Sequence, residues 1–142
     1  MVRFILRIKD NSNVDNIDQV SKNIVSLTAQ DLWTNVKKET PVDEGKAQGS
    51  WMVFNDSDNQ KTISSSANYI DFLDKGTGLY GPLKHKIYPK NGKYLSFVYK
   101  GKKIAVPWTR GMKPHNMVKK SIESTSRRLP SLCIKAVQEA GL

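Results

Sequence analysis

The sequence contains few residues with metal-binding or redox chemistry, and it has no long apolar run. Its single cysteine, Cys133, excludes an internal disulfide framework and a thiolate metal cluster built by one chain. The two histidines, His85 and His115, have no second histidine, cysteine or carboxylate at a spacing suited to a metal. No apolar run approaches the roughly 20 residues that a membrane span requires. We therefore expect a soluble protein of a reducing compartment, with no metal, no cofactor and no membrane partner.

Catalytic motifs are also scarce. The cluster Gly76-Thr77-Gly78 lacks the Gly-Lys-Ser/Thr ending of a phosphate-binding loop, and no helical pattern opens directly behind it. The serines at 64–66 are not surrounded by a nucleophile elbow. Asp71 and Asp74 would share one face of a helix and could act as paired carboxylates. Solvated acids are the simpler interpretation, because no nucleophile or oxyanion donor accompanies them. We expect no enzymatic activity.

Acidic residues are scarce in the second half of the chain. Residues 1–71 hold 8 Lys and Arg against 10 Asp and Glu, a net charge of −2. Residues 72–142 hold 15 against 3, a net charge of +12, so the total is +10. A surface of this kind attracts nucleic acid phosphates, an acidic membrane or an acidic protein face, and it can also be a solvated face that keeps the chain soluble.

Glycine and proline are absent between Asp15 and Glu39, where apolar residues recur every three or four positions. This pattern predicts a long amphipathic helix that ends at Thr40-Pro41. Before it, the stretch from Met1 to Lys9 alternates apolar and basic residues, which is typical of a strand with one buried face. Arg3 and Arg7 lie inside this stretch and no small-residue cleavage site follows, so it is a poor secretory signal.

The middle of the chain predicts two β-hairpins. The first joins residues 51–55 to 61–65 around a polar turn, and the second joins 94–99 to 103–108 around Lys100-Gly101. Between them, residues 69–73 fit either a short helix or a strand, because periodicity cannot separate the two over so few positions.

The last segment, from Asn116 to Ala140, has helical periodicity, and Gly141 stands where a C-terminal cap would lie. Pro130 predicts a kink, or two consecutive helices that meet near Leu129. The order of elements predicts an α+β fold. In this fold, a long N-terminal amphipathic helix and a kinked C-terminal helix pack on an antiparallel sheet of about five strands. We expect one domain spanning residues 1–142.

A glycine-rich segment precedes the second hairpin. Gly76, Gly78 and Gly81 predict positive-φ turns that act as the hinge of a mobile loop near residues 76–93. Basic and aromatic residues alternate along this loop, as in surfaces that stack on bases or contact proteins. The side chains that we expect to contact a partner are Tyr80, Lys84, Lys86, Tyr88 and Lys90.

Four phrases of the sequence together resemble a known family. They are TPVDEGKAQGSW after the long helix, YIDFLDKGTG, IYPKNGKYLSF, and PWTRGMKPHNMVKKSI leading into the last helix. In order and spacing they resemble the tail-completion or head-tail joining proteins of long-tailed bacteriophages, the group that includes minor tail protein Z. The matching positions are Pro41, Asp43, Gly45, Tyr69, Gly76, Thr77, Pro89, Lys90, Gly111 and Pro114. The chain departs from the family pattern at Asp74-Lys75 and at Trp108-Thr109-Arg110.

The resemblance implies a structural virion protein without enzymatic activity. Such a protein would complete the tail or join it to the head connector at the head-tail junction or tail end, and it would act as one subunit of a ring. Its partners would be the head connector or head-closure protein, the tail terminator or tail tube, and further copies of itself. It would be assembled in the cytoplasm of the host bacterium.

Two other functions stay open from the residues alone. A small DNA-binding protein would use the basic second half of the chain, since lysines follow phosphates and aromatics stack on bases. A hydrolase would use Asp71 and Asp74.

Overall fold

The fold is described by a computed structural model that covers residues 2–7, 15–42 and 45–142. Its helices and strands follow one another along the chain as β1 (Arg3–Arg7), α1 (Asp15–Glu39), α2 (Lys46–Gly49), β2 (Trp51–Ser57), β3 (Gln60–Ser65), α3 (Ile70–Lys75), a 3-10 turn (Gly78–Tyr80), β4 (Leu95–Tyr99), β5 (Lys102–Val106) and α4 (Met117–Glu139). The predicted α+β class is confirmed.

The strands form two separate antiparallel sheets and not the single sheet of about five strands that we predicted. One sheet has three strands in the order β1-β3-β2, and the other contains only β4 and β5. The two-residue turn at Lys100-Gly101 joins β4 directly to β5 as a hairpin, and neither strand pairs with any other described strand. β5 ends at Val106, earlier than the predicted Trp108, because its partner strand β4 begins at Leu95, directly opposite Val106.

The chain divides into two compact units. The helical unit comprises Met1–Ile70 and Met117–Leu142, and the hairpin unit comprises Asp71–Asn116. This division does not test the predicted single domain, which stays a prediction.

Helices α1 and α4 form the core of the helical unit. Their buried apolar side chains are Val25, Ala29, Leu32 and Val36 on α1 and Met117, Leu132 and Ala136 on α4. The spacing on α1 is the predicted three or four residues, so one stripe of the helix is removed from water. The pattern also placed Ile17 on the buried face, but Ile17 is 48% exposed. Burial of apolar surface on this stripe is the main stabilising contribution that these helices receive.

A carboxylate lies between the two helices. The side chain of Asp31 on α1 is only 8% exposed, and its Oδ1 forms an ion pair with the guanidinium Nη1 of Arg128 on α4 at 2.7 Å. The Thr125 hydroxyl and the Asn35 amide donate to its second oxygen at 2.8 and 3.0 Å. A buried carboxylate is costly unless its lone pairs are satisfied, so this set of partners fixes how α1 and α4 meet.

The three-stranded sheet has one covered face and one open face. Phe4, Ile63 and Val53 lie in register across β1, β3 and β2 and share the covered face. On the opposite face, the side chains of Ile5 and Phe54 are about half exposed. The predicted alternation of β1 is confirmed over Arg3–Arg7, while Met1 and residues 8–9 of that prediction lie outside the described residues.

Trp51 connects the end of α1 to the start of β2. Its side chain is 2% exposed, and its indole N–H donates to the Thr40 hydroxyl at 2.8 Å. That hydroxyl in turn donates to the Val36 carbonyl of the last helical turn at 2.6 Å. The Trp33 indole donates to the Trp51 carbonyl at 3.0 Å. One buried indole therefore joins Thr40 directly to Trp51.

Helix α4 runs as one element from Met117 to Glu139 with Pro130 inside it. The alternative of two consecutive helices meeting near Leu129 is therefore wrong, and a kink at Pro130 stays a prediction. The helix ends at Glu139, and Gly141 caps it as predicted, with a φ of +78°. The amides of Gly141 and Leu142 donate back to the carbonyls of Gln138 and Val137, as in a Schellman cap.

Replacement of Thr40 by valine tests the contribution of the buried indole contact. The change keeps the shape of the side chain but leaves the Trp51 N–H without its acceptor, so we expect a loss of about 1–3 kcal/mol in the free energy of unfolding. Urea denaturation followed by tryptophan fluorescence measures it.

Thr34→Val is the matched control, because the Thr34 hydroxyl also donates to the carbonyl four residues earlier but is exposed. We expect this control to change the free energy of unfolding by less than about 0.5 kcal/mol. Equal losses in the two variants would contradict the role given to the Trp51–Thr40 contact.

Candidate functional site

The hairpin unit keeps almost none of its side chains away from water. Between Asp71 and Asn116, all of which the structure describes, only Gly76 and Gly81 are buried. Leu83 is 77% exposed and Val98 is 65% exposed, and further exposed large apolar residues are Phe72, Leu79, Tyr80, Tyr88, Tyr94, Phe97, Tyr99 and Trp108. Exposed apolar surface on this scale marks an interaction surface more often than a solvated one.

Backbone hydrogen bonds hold the base of the hairpin unit together. The amide of Thr77 donates to the Met112 carbonyl at 2.9 Å, and the amide of Leu79 donates to the Arg110 carbonyl at 2.8 Å. In return the Thr77 hydroxyl accepts from the Met112 amide at 2.9 Å. We call residues 76–79 and 110–112 the backbone clasp.

Glycines permit the close approach in the backbone clasp. A Cβ on Gly111 would collide with the carbonyl of Thr77, and a Cβ on Gly78 would collide with the carbonyl of Arg110. Both glycines also have positive φ, which disfavours other residues. Of the predicted hinge glycines, Gly76 and Gly78 have the predicted positive φ, whereas Gly81 has a φ of −90°, so the prediction is wrong there. All three lie where two chain segments touch, which is why a Cβ at any of them would meet backbone atoms at 3.0 Å or less. Whether they also act as a hinge stays a prediction.

An open, mainly apolar groove of about 550 Å³ lies beside the backbone clasp. Phe72, Pro82, Leu83 and Ile87 form its apolar lining, and Lys90 stands at its wall. Its volume falls within the range of ligand or peptide pockets. The groove belongs wholly to the hairpin unit and can accept an apolar side chain or segment of a partner.

The five predicted contact residues have different surroundings. The side chains of Tyr88, Lys84 and Lys90 are exposed. Tyr80 is 38% exposed and has the ammonium of Lys113 5.8 Å from its ring centroid.

Lys86 is already engaged within the unit, because its ammonium lies 3.8 Å from the ring centroid of Trp108. A short antiparallel bridge between Ile87 and Thr109 holds these two segments side by side. Lys86 therefore supports the shape of the loop, while Tyr80, Lys84, Tyr88 and Lys90 are exposed, and their contact with a partner stays a prediction.

The hairpin unit is strongly basic. It holds ten Lys and Arg and two Asp, so ten minus two gives a net charge of +8 over 46 residues. The side chains Lys93, Lys100, Lys102 and Lys103 surround the β4–β5 hairpin and are exposed. They lie outside the five predicted contact residues, and the run of lysines around Lys100-Gly101 is the sequence signal that indicates this basic surface.

Two phrases of the family pattern meet in the backbone clasp, since Thr77 belongs to one phrase and Gly111 to the other. Pro114 follows the backbone clasp by two residues, and its backbone nitrogen is 2.9 Å from the position of a Cβ on Gly76. Tyr69 is exposed before α3, and residues 69–73 are helical from Ile70 onward.

The first family phrase lies in the helical unit. Pro41 follows the buried Thr40, and Gly45 precedes the short helix α2. Asp43 of this phrase lies outside the described residues. The phrase ends at Trp51, which is buried.

Both carboxylates of the hydrolase alternative, Asp71 and Asp74, lie on α3. Asp71 is 3.9 Å from the ammonium of Lys75, one helical turn later. Across residues 2–7, 15–42 and 45–142, no group of three or more His, Cys, Asp or Glu is arranged to hold a metal ion. The helices within the same residues include none that is long and apolar enough to cross a membrane.

Comparison of the chain with protein-family models, with curated proteins and with solved structures finds no match.

Gly111→Ala tests the backbone clasp. The added methyl group would collide with the Thr77 carbonyl, so we expect the clasp to open and the amides of Thr77 and Leu79 to exchange with solvent at least about tenfold faster. Hydrogen-exchange mass spectrometry on peptides covering residues 71–116 measures this change.

Gly92→Ala is the matched control, because Gly92 also has positive φ but has no atom within 4 Å of an added Cβ. We expect it to cost about 1–2 kcal/mol for the backbone conformation alone and to leave the clasp amides protected. Faster exchange at Thr77 in both variants would show that close approach is not the reason for Gly111.

Proposed function

We propose that this chain is a structural virion protein of a long-tailed bacteriophage that completes the tail or joins it to the head connector, as one subunit of a ring. The observation that carries the proposal is the hairpin unit, which exposes its apolar and aromatic side chains and holds no buried side chain of its own. Exposing apolar side chains to water is unfavourable, and a partner that covers them removes this free-energy cost.

The groove and the exposed tyrosines supply the elements of a protein interface. Interfaces are enriched in aromatic residues and are organised around a few anchors that fill pockets. Here the groove beside the backbone clasp is a pocket for a partner's apolar anchor, while Tyr80 and Tyr88 are anchors that a partner's surface can enclose. Lys84 and Lys90 are charged residues of the surrounding rim.

The resemblance in sequence gives this interface its biological setting. The phrases that carry the resemblance include both segments of the backbone clasp, so the family pattern coincides with residues that shape the exposed unit. On this proposal the partners are the head connector or head-closure protein, or the tail terminator or tail tube. The site of action is the virion, after assembly in the host bacterial cytoplasm.

The charge of +8 on the hairpin unit favours a second candidate, a small DNA-binding protein. A duplex of random sequence at about 150 mM salt distinguishes the two. Retention of DNA together with no binding to virion components would favour this candidate.

Association with virion parts is the direct test of the proposal. Size exclusion with light scattering on the purified protein, alone and mixed with purified tails or head connectors of the phage that encodes it, should show co-elution or assembly on the partner. Mass spectrometry of purified virions should also detect the chain. Absence from virions together with no binding to either part would overturn the proposal.

Replacement of Tyr80 and Tyr88 by alanine should leave the protein folded and abolish joining, because two aromatic anchors are lost without any change in the core. Binding to tails or connectors and infectivity of the mutant phage measure the effect. The matched control is Ile134→Ala with Val137→Ala on α4. Ile134 is 61% exposed and Val137 is 38% exposed, which matches Tyr88 at 60% and Tyr80 at 38%. Normal infectivity of the tyrosine double variant would remove these anchors from the proposal.

Charge reversal tests the rim. Lys84→Glu with Lys90→Glu should slow association with the partner by about tenfold or more at low salt, and the difference should shrink as salt is added. Lys119→Glu with Lys120→Glu makes the same change of charge on exposed positions of α4 and should have a smaller effect. Stopped-flow association rates at several salt concentrations give the comparison, and equal slowing in both variants would mean that only the total charge matters.

A further inference from the structure

Strand β4 is an edge strand without charge. Its sequence is LSFVY, four of its five residues are exposed, and it pairs with β5 alone among the described strands. By contrast, β1 carries Arg3 and Arg7, and β5 begins with Lys102 and Lys103. Edge strands are normally protected by charges, prolines or bulges, because their free backbone groups recruit other strands. β4 has none of these protections.

The hairpin turn determines which backbone groups of β4 are free. Lys100 and Gly101 have φ of +49° and +77°, the signature of a two-residue type I′ turn, so Tyr99 bonds directly to Lys102. Hydrogen-bonded and non-hydrogen-bonded pairs alternate along an antiparallel ladder. Consequently the amides and carbonyls of Ser96 and Val98 point away from β5.

Strand β2 of the helical unit has the complementary free edge. It is the outer strand of the sheet order β1-β3-β2. The Ser66 amide donates to the Ser50 carbonyl at 3.2 Å, so Ser50 and Ser66 form a hydrogen-bonded pair. The next pair along the strands, Trp51 and Ser65, is therefore a non-hydrogen-bonded pair. By the same alternation, Val53 and Asn55 direct their backbone groups away from β3.

Part of the β2 edge is already used. The outward carbonyl of Trp51 accepts from the Trp33 indole at 3.0 Å, and a bulge follows Asn55. The stretch from Met52 to Asn55 remains, bordered by an open groove of about 300 Å³ that includes Trp33, Val53 and Asn55 in its lining.

We propose that β4 of one copy of this chain pairs antiparallel with β2 of a second copy, with Phe97 opposite Phe54. In this register Ser96 and Val98 exchange hydrogen bonds with Asn55 and Val53. Residues whose backbones face each other share one face of the sheet, so Phe97 necessarily joins Phe54 on the open face. Phe54 is 47% exposed and Phe97 is 41% exposed, and a cross-strand aromatic pair covers part of both.

Charge favours β2 over a second β4 as the added strand. In the proposed register, Lys93 approaches the acidic β2–β3 turn, where Asp58 has a side chain that is 79% exposed. Two antiparallel β4 strands would instead bring Lys93 of one copy beside Lys100 of the other. Like charges at such positions disfavour pairing, so the neutral β4 edge is selective for β2.

The pairing uses two different surfaces of the chain. It is therefore heterologous, and repeated head-to-tail contacts of this kind close into a ring when the rotation permits. The inference deepens the ring component of the proposed function and rests on it, but the contact forms between copies of this chain alone. Its test therefore needs only the purified protein.

Two proline variants test the β4 edge and the β5 edge of the hairpin separately. Val98→Pro removes an outward amide on β4 and keeps the bonds to β5, since proline is tolerated where an edge N–H faces solvent. Ala105→Pro removes an outward amide at the opposite edge, on β5, and is the matched control. Sedimentation equilibrium over a range of concentrations should show self-association that Val98→Pro weakens by at least about tenfold and Ala105→Pro leaves unchanged. Equal weakening in both variants would overturn the pairing.

Cysteine cross-linking tests the register and does not depend on proline being tolerated. In a Cys133→Ser background, Phe97→Cys mixed with Phe54→Cys should form a disulfide-linked dimer, because directly opposed non-hydrogen-bonded pairs hold their side chains close. Ile5→Cys replaces Phe54→Cys in the control mixture, since Ile5 is 52% exposed on the same face but lies on the far strand. A monomer at every concentration with no selective cross-link would overturn the inference.

The two proposals fail separately. A monomer that gives no cross-link but binds purified tails or connectors removes the β4–β2 pairing and keeps the virion function. Selective cross-linking in a protein that binds neither tails nor connectors, and is absent from virions, keeps the pairing and removes the virion function.

Discussion

The hydrogen bond from the buried Trp51 indole to the Thr40 hydroxyl is the contact on which the helical unit depends. It joins the end of α1 to the start of β2, and so it determines where the three-stranded sheet begins relative to the helix that covers it. The contact is fully internal, so neither group can exchange its partner for water. The Asp31 cluster acts at a second position, where it determines how α4 meets α1. Between these two polar contacts, the apolar stripe of α1 has one well-defined place to pack.

The hairpin unit is built on a different physical basis. It has no buried apolar side chain, and its backbone clasp is held by hydrogen bonds between segments that only glycines allow to approach. Ordering a chain of 46 residues costs conformational entropy, and without a core the hairpin unit buries too little apolar surface to offset that cost. The apolar side chains that would have formed a core are instead presented outward. This arrangement connects the local structure to the proposed role in assembly, where covering these side chains supplies the missing burial.

The two units also differ in how they expose strands. In the helical unit, the edge strand β1 carries arginines, and part of the β2 edge is occupied by the Trp33 indole. In the hairpin unit, β4 leaves an uncharged edge open beside lysines that limit which strand can be added. The core of the helical unit thus lies on the covered face of its three-stranded sheet, while the surfaces that we propose for association are exposed strand edges and aromatic side chains.

The sequence by itself determined the local elements of this protein. The bounds of α1, the two hairpins, the cap at Gly141 and the α+β class follow from periodicity, turn residues and capping, which act over a few neighbouring positions. The five strands could not be assigned to sheets in this way, because strand pairing depends on contacts between distant residues. Only the tertiary structure decided that β4 and β5 stand apart, that Gly78 and Gly111 face each other's segments, and that Lys86 stacks on Trp108. Gly78 and Gly111 are 33 positions apart in the chain and Lys86 and Trp108 are 22 apart, so no local pattern records that they meet.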